Sequence, residues 1–409
     1  MKILVLLPDS PDPWSNTAAR YYGPVLKALA ELGHDLTVLA VRRPGADGLE
    51  YFGHTTIHFR FLDQPEAKPF VERKLRSLWR GGWELAASEF GRAARQEAAR
   101  DYDVILAEEP AAARALENDP RTVLSLLCLR YVDLEVGEGD EADIGWREQL
   151  QARRAELSTC RRVPVIRVVS ERLERLLRNE SVGGLIRVIP LCIDPALYDW
   201  QPAPAVPTVG VLGSMFWPPS RRAARHFLEH LVPRIRAAQP GVRFVVGGWQ
   251  AEHYLRHLVR DSDVEILDSF RSPAGAFSRL SVLVYAPPVG TGMKVKVLEA
   301  MAYGVPAVVN SEGFEGLEAD PDPPVRLANS DDEIVEQVSE LLQDPAARRR
   351  AAEEGRRCVD RSFCPEAVAR ALIGLFHERD DGRVGRHARG VAGLGERSGD
   401  RVVLPLHRQ

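Results

Sequence analysis

One alternation of apolar runs occurs twice along the chain, and it limits the fold more than any other feature. Near the start, KILVLL, the polar loop DSPDPWSNT, the helically spaced AARYYGPVLKALAELG and DLTVLAV follow one another. Val25, Leu29 and Leu32 share one helical face, and Gly33 suits the helix C-terminus. Strand, helix and strand in that order require a parallel pair joined by a right-handed crossover. DVILAE (103–108), TVLSLLCL (122–129) and VIRVVS (165–170) read as further buried strands, with helical patterns over 144–160 and 171–179. After IRVIPL come Pro190, Pro195, Pro202, Pro204 and Pro207, a density that marks a linker. TVGVLGS then restarts the alternation. The amphipathic RRAARHFLEHLVPRIRAA and the strands VRFVVGG, VEILDSF, VLVYA and PAVVN follow it.

The expected architecture is therefore α/β, with two doubly wound Rossmann-like domains facing a cleft. Residues 1–190 form the first domain, 191–206 the linker and 207–364 the second domain. Residues 365–378 form a C-terminal helix returning to the first domain, and the glycine- and arginine-rich 379–409 reads as a disordered tail. A chain of 409 residues is long enough for two cores. Open parallel sheets bind ligands beyond the carboxyl ends of their strands, which draws attention to the loops 8–17, 130–143, 213–221, 247–253, 268–273 and 287–293. A formal charge of −4 gives no general attraction to nucleic acid. No apolar run approaches the roughly twenty residues of a membrane span. Cys128, Cys160, Cys192, Cys358 and Cys364 are scattered and never spaced as CxxC, so neither a disulfide framework nor a zinc site is indicated. The cytoplasm is the expected compartment.

The stretch PPVGTGMKVKVLEAMAYGVPAVV (287–309) carries the most chemistry. Gly290 and Gly292 allow a tight turn after a strand, and a helix opens directly behind them. Free amides and the helix dipole at such a terminus attract anions, phosphate above all. Lys294 and Lys296 are two residues apart and diverge on a regular helix, so at most one meets the phosphate. Lys296 and Glu299 share a face. Their plainer reading is a surface ion pair, and only the placement behind a glycine loop favours a ligand site.

This stretch, continued to NSEGFEGL, resembles the donor-site signature of family 4-like glycosyltransferases with the GT-B fold. VGVLGSMFWPPSRRAARHFLEHLVPRIRAAQPGVRFVVGG, LKALAELGHDLTVLAV and VIPLCIDPALY resemble the same family in the expected order, over roughly residues 1–378. The resemblance implies retaining transfer of a sugar from a nucleoside-diphosphate sugar, with no cofactor beyond that donor substrate and no metal. Carried over by position, Glu299 would bind the donor ribose, and Lys294 or Lys296 the diphosphate with the amides after Gly292. Gly213 and Ser214 would approach the sugar diphosphate, with Arg221 or Arg222 as further cations, and Phe270 would lie at the base. Thr291 departs from the pattern, because many members carry a glutamate there. A hydroxyl can bond a sugar but brings no negative charge. The triplets Asp261/Asp263 and Asp320/Asp322 read as loop residues and not as metal ligands.

The acceptor side is less legible. Asp133, Glu135, Glu138, Asp140, Glu141 and Asp143 crowd one loop, which reads first as a solvated turn and second as the border of a site for a cationic acceptor such as an amino sugar or aminocyclitol. Asp133 is a candidate for orienting an acceptor hydroxyl and Arg130 for approaching the donor phosphates. Trp14, Ser15 and Asn16 stand where relatives have a glycine. Residues 70–95 mix basic and aromatic side chains. They read first as an ordinary packed helix and second as a peripheral membrane contact. His34 reads as structural. The function expected is a glycosyltransferase acting on an envelope glycan or a small natural product. The alternatives are a nucleotide-sugar epimerase, a phosphorolytic enzyme of the same fold, or a sugar-nucleotide-binding partner subunit without turnover.

Overall fold

The computed structural model describes residues 1–14, 18–42, 49–53, 55–63, 84–134, 146–268 and 273–380. Phe270, Ser15, Asn16, the acids from Glu135 to Asp143, the basic and aromatic residues of 70–83 and the tail from 381 lie outside the described residues.

The first sheet holds β1 (Lys2–Leu7), β2 (Asp35–Val41), β3 (Ile57–Leu62), β4 (Val104–Glu108), β5 (Thr122–Leu126), β6 (Val165–Val168) and β7 (Leu185–Val188). Their order is β3-β2-β1-β4-β5-β6-β7, and every pairing is parallel. The second sheet holds β8 (Thr208–Leu212), β9 (Arg243–Gly248), β10 (Val264–Asp268), β11 (Val282–Tyr285), β12 (Ala307–Val309) and β13 (Arg326–Leu327), in the order β10-β9-β8-β11-β12-β13. It too is parallel throughout. Ile3 to Leu7 are wholly buried, as a strand covered by helices on both faces must be. In both sheets the first strand lies beside the fourth, so the winding reverses there. That reversal opens the crevice in which such sheets take ligands. The molecule is thus a pair of doubly wound Rossmann-like domains.

Two elements differ from the sequence reading. β5 stops at Leu126 and does not run on to Leu129, because the chain peels away from the sheet to meet the other domain. The expected continuous helix from Arg221 to Ala238 divides into a helix Pro218–His226, a wider π turn Phe227–Leu231 and a helix Val232–Ala238. Pro233 has no amide hydrogen and its ring crowds the preceding turn, and a π turn relieves that clash.

The chain crosses between the domains a second time near its end. The helix Pro365–Asp380 packs on the helix Ala19–Glu31 of the first domain, burying Val368, Leu372, Leu375 and Phe376. Arg379 fixes its end by donating to the carbonyls of Arg121 (2.8 Å) and Asp103 (2.7 Å), and Glu378 pairs with Arg187. Replacing the fully buried Leu372 by Ala is expected to cost about 2–5 kcal/mol through lost burial and a residual cavity. A denaturant midpoint unchanged from wild type would show that this helix contributes nothing to the fold.

Candidate active site

On the second domain, the site is built where β8 lies beside β11. Gly213 follows β8 and hydrogen-bonds the carbonyl of Gly247 at 2.8 Å. A side chain at Gly213 would press on Ser220 Oγ (2.9 Å) and on Lys296 Cε (3.1 Å), so the missing Cβ is what lets the Lys296 stem cross the turn. Lys296 Nζ donates to Ser220 Oγ (3.0 Å) and Tyr285 Oη (3.1 Å). It has no carboxylate partner among the described residues. Burial alone would raise the Tyr285 hydroxyl pKa, but the charges of Lys296 and Lys294 and hydrogen bonds with Ser220 and Lys296 bring it below its ordinary value.

The loop after β11 leads into the helix Val295–Tyr303, with Lys294 as its extended N-cap and left-handed Gly304 at its end. Lys294 is buried and turned back into the loop. Its Nζ donates to the carbonyls of Thr291 (3.1 Å) and Gly292, and lies 3.8 Å from Glu315. The two lysines therefore diverge, and they do different work. Of the two glycines, only Gly292 is needed for backbone reasons. Its φ is +76°, and a Cβ there would sit 1.9 Å from the Leu127 carbonyl of the first domain. Gly290 has only ordinary contacts.

Among the described residues, hydrogen bonds at Thr291, Arg222, Glu315 and Glu299 cross between the domains. The Thr291 amide (2.6 Å) and hydroxyl (2.8 Å) both donate to Asp133 Oδ1, while the Leu129 amide donates to Thr291 Oγ1 (2.9 Å). Arg222 donates to the Asp133 carbonyl (2.8 Å). Ser170 (2.6 Å) and Arg172 (3.2 Å) both donate to Glu315, and Arg172 also donates to the Gly290 carbonyl (2.8 Å). Arg20 donates to Glu299 (2.5 Å). Desolvation raises the Asp133 pKa to about 6, against the Thr291 hydrogen bond and the Lys294 charge. At the matching point of the first sheet, Glu109 follows β4 with φ +68°, and the Tyr22 hydroxyl donates to it at 3.2 Å.

Gly213, Ser214, Thr291, Gly292, Lys294, Lys296 and Glu299 all belong to the two loops and the helix entry at this reversal of winding. Asp133, on the short helix Arg130–Asp133, is drawn into contact with Thr291 and is buried; Arg130 on that helix is exposed. Arg221 stacks on Tyr254 (4.8 Å) and donates to the Met215 carbonyl (3.3 Å). Glu299 accepts hydrogen bonds from Arg20 and the Tyr198 hydroxyl, and not from Lys296. Asp261 (2.9 Å) and Asp263 (2.8 Å) pair with Arg236, and Asp320 (2.8 Å) with Arg361. Trp14 is exposed, its ring 6.4 Å from that of Tyr198. Sequence reasoning missed Arg20, Ser170, Arg172, Ser220, Tyr285 and Glu315. Arg20 alone carried a signal, since a cation in the first turn of a helix opposes the helix dipole. Among the described residues no helix is long and apolar enough to cross a membrane.

The family model for glycosyl transferases group 1 matches residues 206–344. No curated protein sequence matches the chain. Among solved structures, sucrose-phosphate synthase from Thermosynechococcus elongatus is similar with a TM-score of 0.67 at 17% identity, covering 93% of this chain and 100% of that one. HepE from Anabaena, solved with UDP and glucose, gives a TM-score of 0.63 at 15% identity, covering 92% and 100%. A glycosyltransferase from Rickettsia africae gives 0.60 at 10%, covering 92% and 98%. At such identities the likeness is one of fold.

The Asp133 contact has a consequence for pH. A carboxyl whose folded pKa lies above its unfolded value binds protons more tightly when folded. Its favourable contribution is complete below about pH 4 and is lost as pH rises through about 6. An Asn at this position keeps an acceptor for both Thr291 donors and cannot ionise. Asp133→Asn should therefore gain thermal stability relative to wild type between pH 4 and 6, and hold that gain above 6. Parallel pH profiles of Tm for the two proteins would refute the assignment.

Proposed function

We propose that the protein is a glycosyltransferase that takes a sugar from a nucleoside-diphosphate sugar bound at the reversal of winding in the second sheet; the match of residues 206–344 to the glycosyl transferases group 1 model and the shared fold support this. The observation that carries this reading is Lys296. It is a cation held by two hydroxyls, without a carboxylate partner among the described residues, beside a glycine turn and a helix N-terminus. Such a charge is stabilised by an anion, and a diphosphate supplies one.

In this reading Lys296 meets the diphosphate. Lys294, committed to the loop carbonyls and to Glu315, holds the loop in shape. Gly213 and Ser214 lie against the sugar diphosphate, and Glu299 binds the ribose. The bond from the anomeric carbon to the phosphate oxygen breaks, and its electron pair leaves on the diphosphate. The acceptor hydroxyl oxygen bonds the same carbon, and its proton passes to the leaving phosphate oxygen. Negative charge grows on the leaving group, and fixed donors around it lower the barrier. We assign transfer with retention at the anomeric carbon and without a metal, as the donor-loop resemblance implies. Asp133 braces the Thr291 loop. The acceptor bears a hydroxyl.

Thermal unfolding with UDP, GDP, ADP and their sugars tests the donor site. A ligand that binds only the folded protein at 100 times its Kd adds roughly 2.7 kcal/mol, which raises Tm by several degrees. One nucleotide should stabilise wild type and fail on Glu299→Ala. With its sugar as donor, Lys296→Ala should turn over about a hundredfold more slowly or worse. Turnover should be unaffected by EDTA and give a product of unchanged anomeric configuration by NMR. A folded protein that none of these nucleotides stabilises would rule the reading out.

A further inference from the structure

Arg20 lies in the first turn of the helix Ala19–Glu31, where the helix dipole favours anions, so no local interaction accounts for a cation there. Its guanidinium reaches to the other domain, where Nη1 donates to Glu299 Oε1 at 2.5 Å. Nε of Arg20 is buried without a hydrogen-bond partner among the described residues. Glu299 itself is only 3% exposed. The groups facing its carboxylate are Arg20, the Tyr198 hydroxyl (3.5 Å) from the connection between the domains, and Lys296 and Tyr303 of its own helix.

We propose that Arg20 is a positioning residue for the nucleotide: it keeps the buried Glu299 carboxylate ionised and aimed, so that nucleotide affinity depends on the first domain being closed against the second. The proposal rests on the donor reading above, in which Glu299 takes the ribose. Two vicinal hydroxyls that both donate to one carboxyl are best met by the ionised form, which only accepts, whereas the protonated form turns one oxygen into a donor. Burial opposes that form, and an opposite charge in contact restores it. Desolvation is the largest influence on Glu299 and raises its pKa, with Arg20 the first group acting against it. Lys296 bonds Ser220 and Tyr285 and touches Glu299 only through its field, and burial raises the pKa of the Tyr198 and Tyr303 hydroxyls, so both stay neutral. Arg20 is thus the direct counter-ion, and it comes from the domain that does not hold the nucleotide.

The test is the Kd of UDP, GDP and ADP by calorimetry between pH 7 and 9.5. The proteins are wild type, Arg20→Met, Arg20→Lys and the double variant Arg20→Met with Glu299→Gln. Wild type should bind one nucleotide with little pH dependence. Arg20→Met should bind it roughly tenfold more weakly or worse at pH 7 and recover as pH rises, by up to about tenfold per unit below the new pKa of Glu299. Arg20→Lys should restore flat, near-wild-type binding. The double variant has no charge to bury, so it stays folded even where Arg20→Met does not, and it should bind weakly at every pH. A structural role alone would weaken binding without a pH profile. Wild-type affinity in Arg20→Met, a pH-independent loss there, or failure of Arg20→Lys to restore binding would each overturn the proposal and leave the donor site standing. If wild type binds none of the three nucleotides, the donor reading fails and this inference fails with it.

Discussion

Thr291 makes the contact on which the rest of the site depends. Its amide and hydroxyl meet one carboxylate oxygen of Asp133, while its oxygen receives the Leu129 amide from the end of the first sheet. All of these groups are buried, where a satisfied hydrogen bond is strong and an unsatisfied one costly. The contact therefore exists only in one relative placement of the domains. It also sets Gly292 against the Leu127 carbonyl, which no residue with a side chain would allow. From that fixed point the loop must enter its helix with Lys294 turned inward and Lys296 turned toward Gly213.

The charges around this point sort themselves by partner. Glu315 gathers Ser170, Arg172 and Lys294, and Glu299 takes Arg20, so both acids of the second domain are neutralised partly from the first. Lys296 is met by hydroxyls instead. Pairing a buried charge is close to obligatory, because desolvation of an unpaired ion is expensive. Among the described residues, the cations paired with these acids thus differ from Lys296, whose hydrogen-bond partners are hydroxyls.

Much of this was legible in the sequence, for identifiable reasons. β1, β4, β5, β8, β9 and β11 announce themselves as short apolar runs because they are covered on both faces. The loop GTGMKVK stands out because glycines and lysines interrupt such runs. β13 has two residues, too few for any pattern, and the π turn before Pro233 has no periodicity to read. The cross-domain partners were hidden for a deeper reason. Arg20 and Glu299 are 279 positions apart, and Thr291 and Asp133 are 158 apart. Nothing local ties one to the other. Asp133 looked like part of an acidic, solvated stretch, and only the meeting of the two sheets makes it a buried acceptor. Spacing showed that Lys294 and Lys296 diverge but not where each points; Lys294 turns to the loop carbonyls and Lys296 to Ser220 and Tyr285.

The chain passes between the domains at two places, along residues 189–207 and again between the helices Pro345–Ser362 and Pro365–Asp380. The amide of Ile193 in the first passage bonds the carbonyl of Phe363 in the second (3.1 Å), so the two run side by side. A body attached at one point can swivel in any direction, but one attached along two adjacent tethers can only rock about the line they define. The first of these tethers also holds the donor loop, since the Leu191 amide bonds Met293 Sδ at 3.3 Å. Rocking about that line displaces the groups lying along it least, and Tyr198, whose hydroxyl reaches Glu299 from the first tether, is among them.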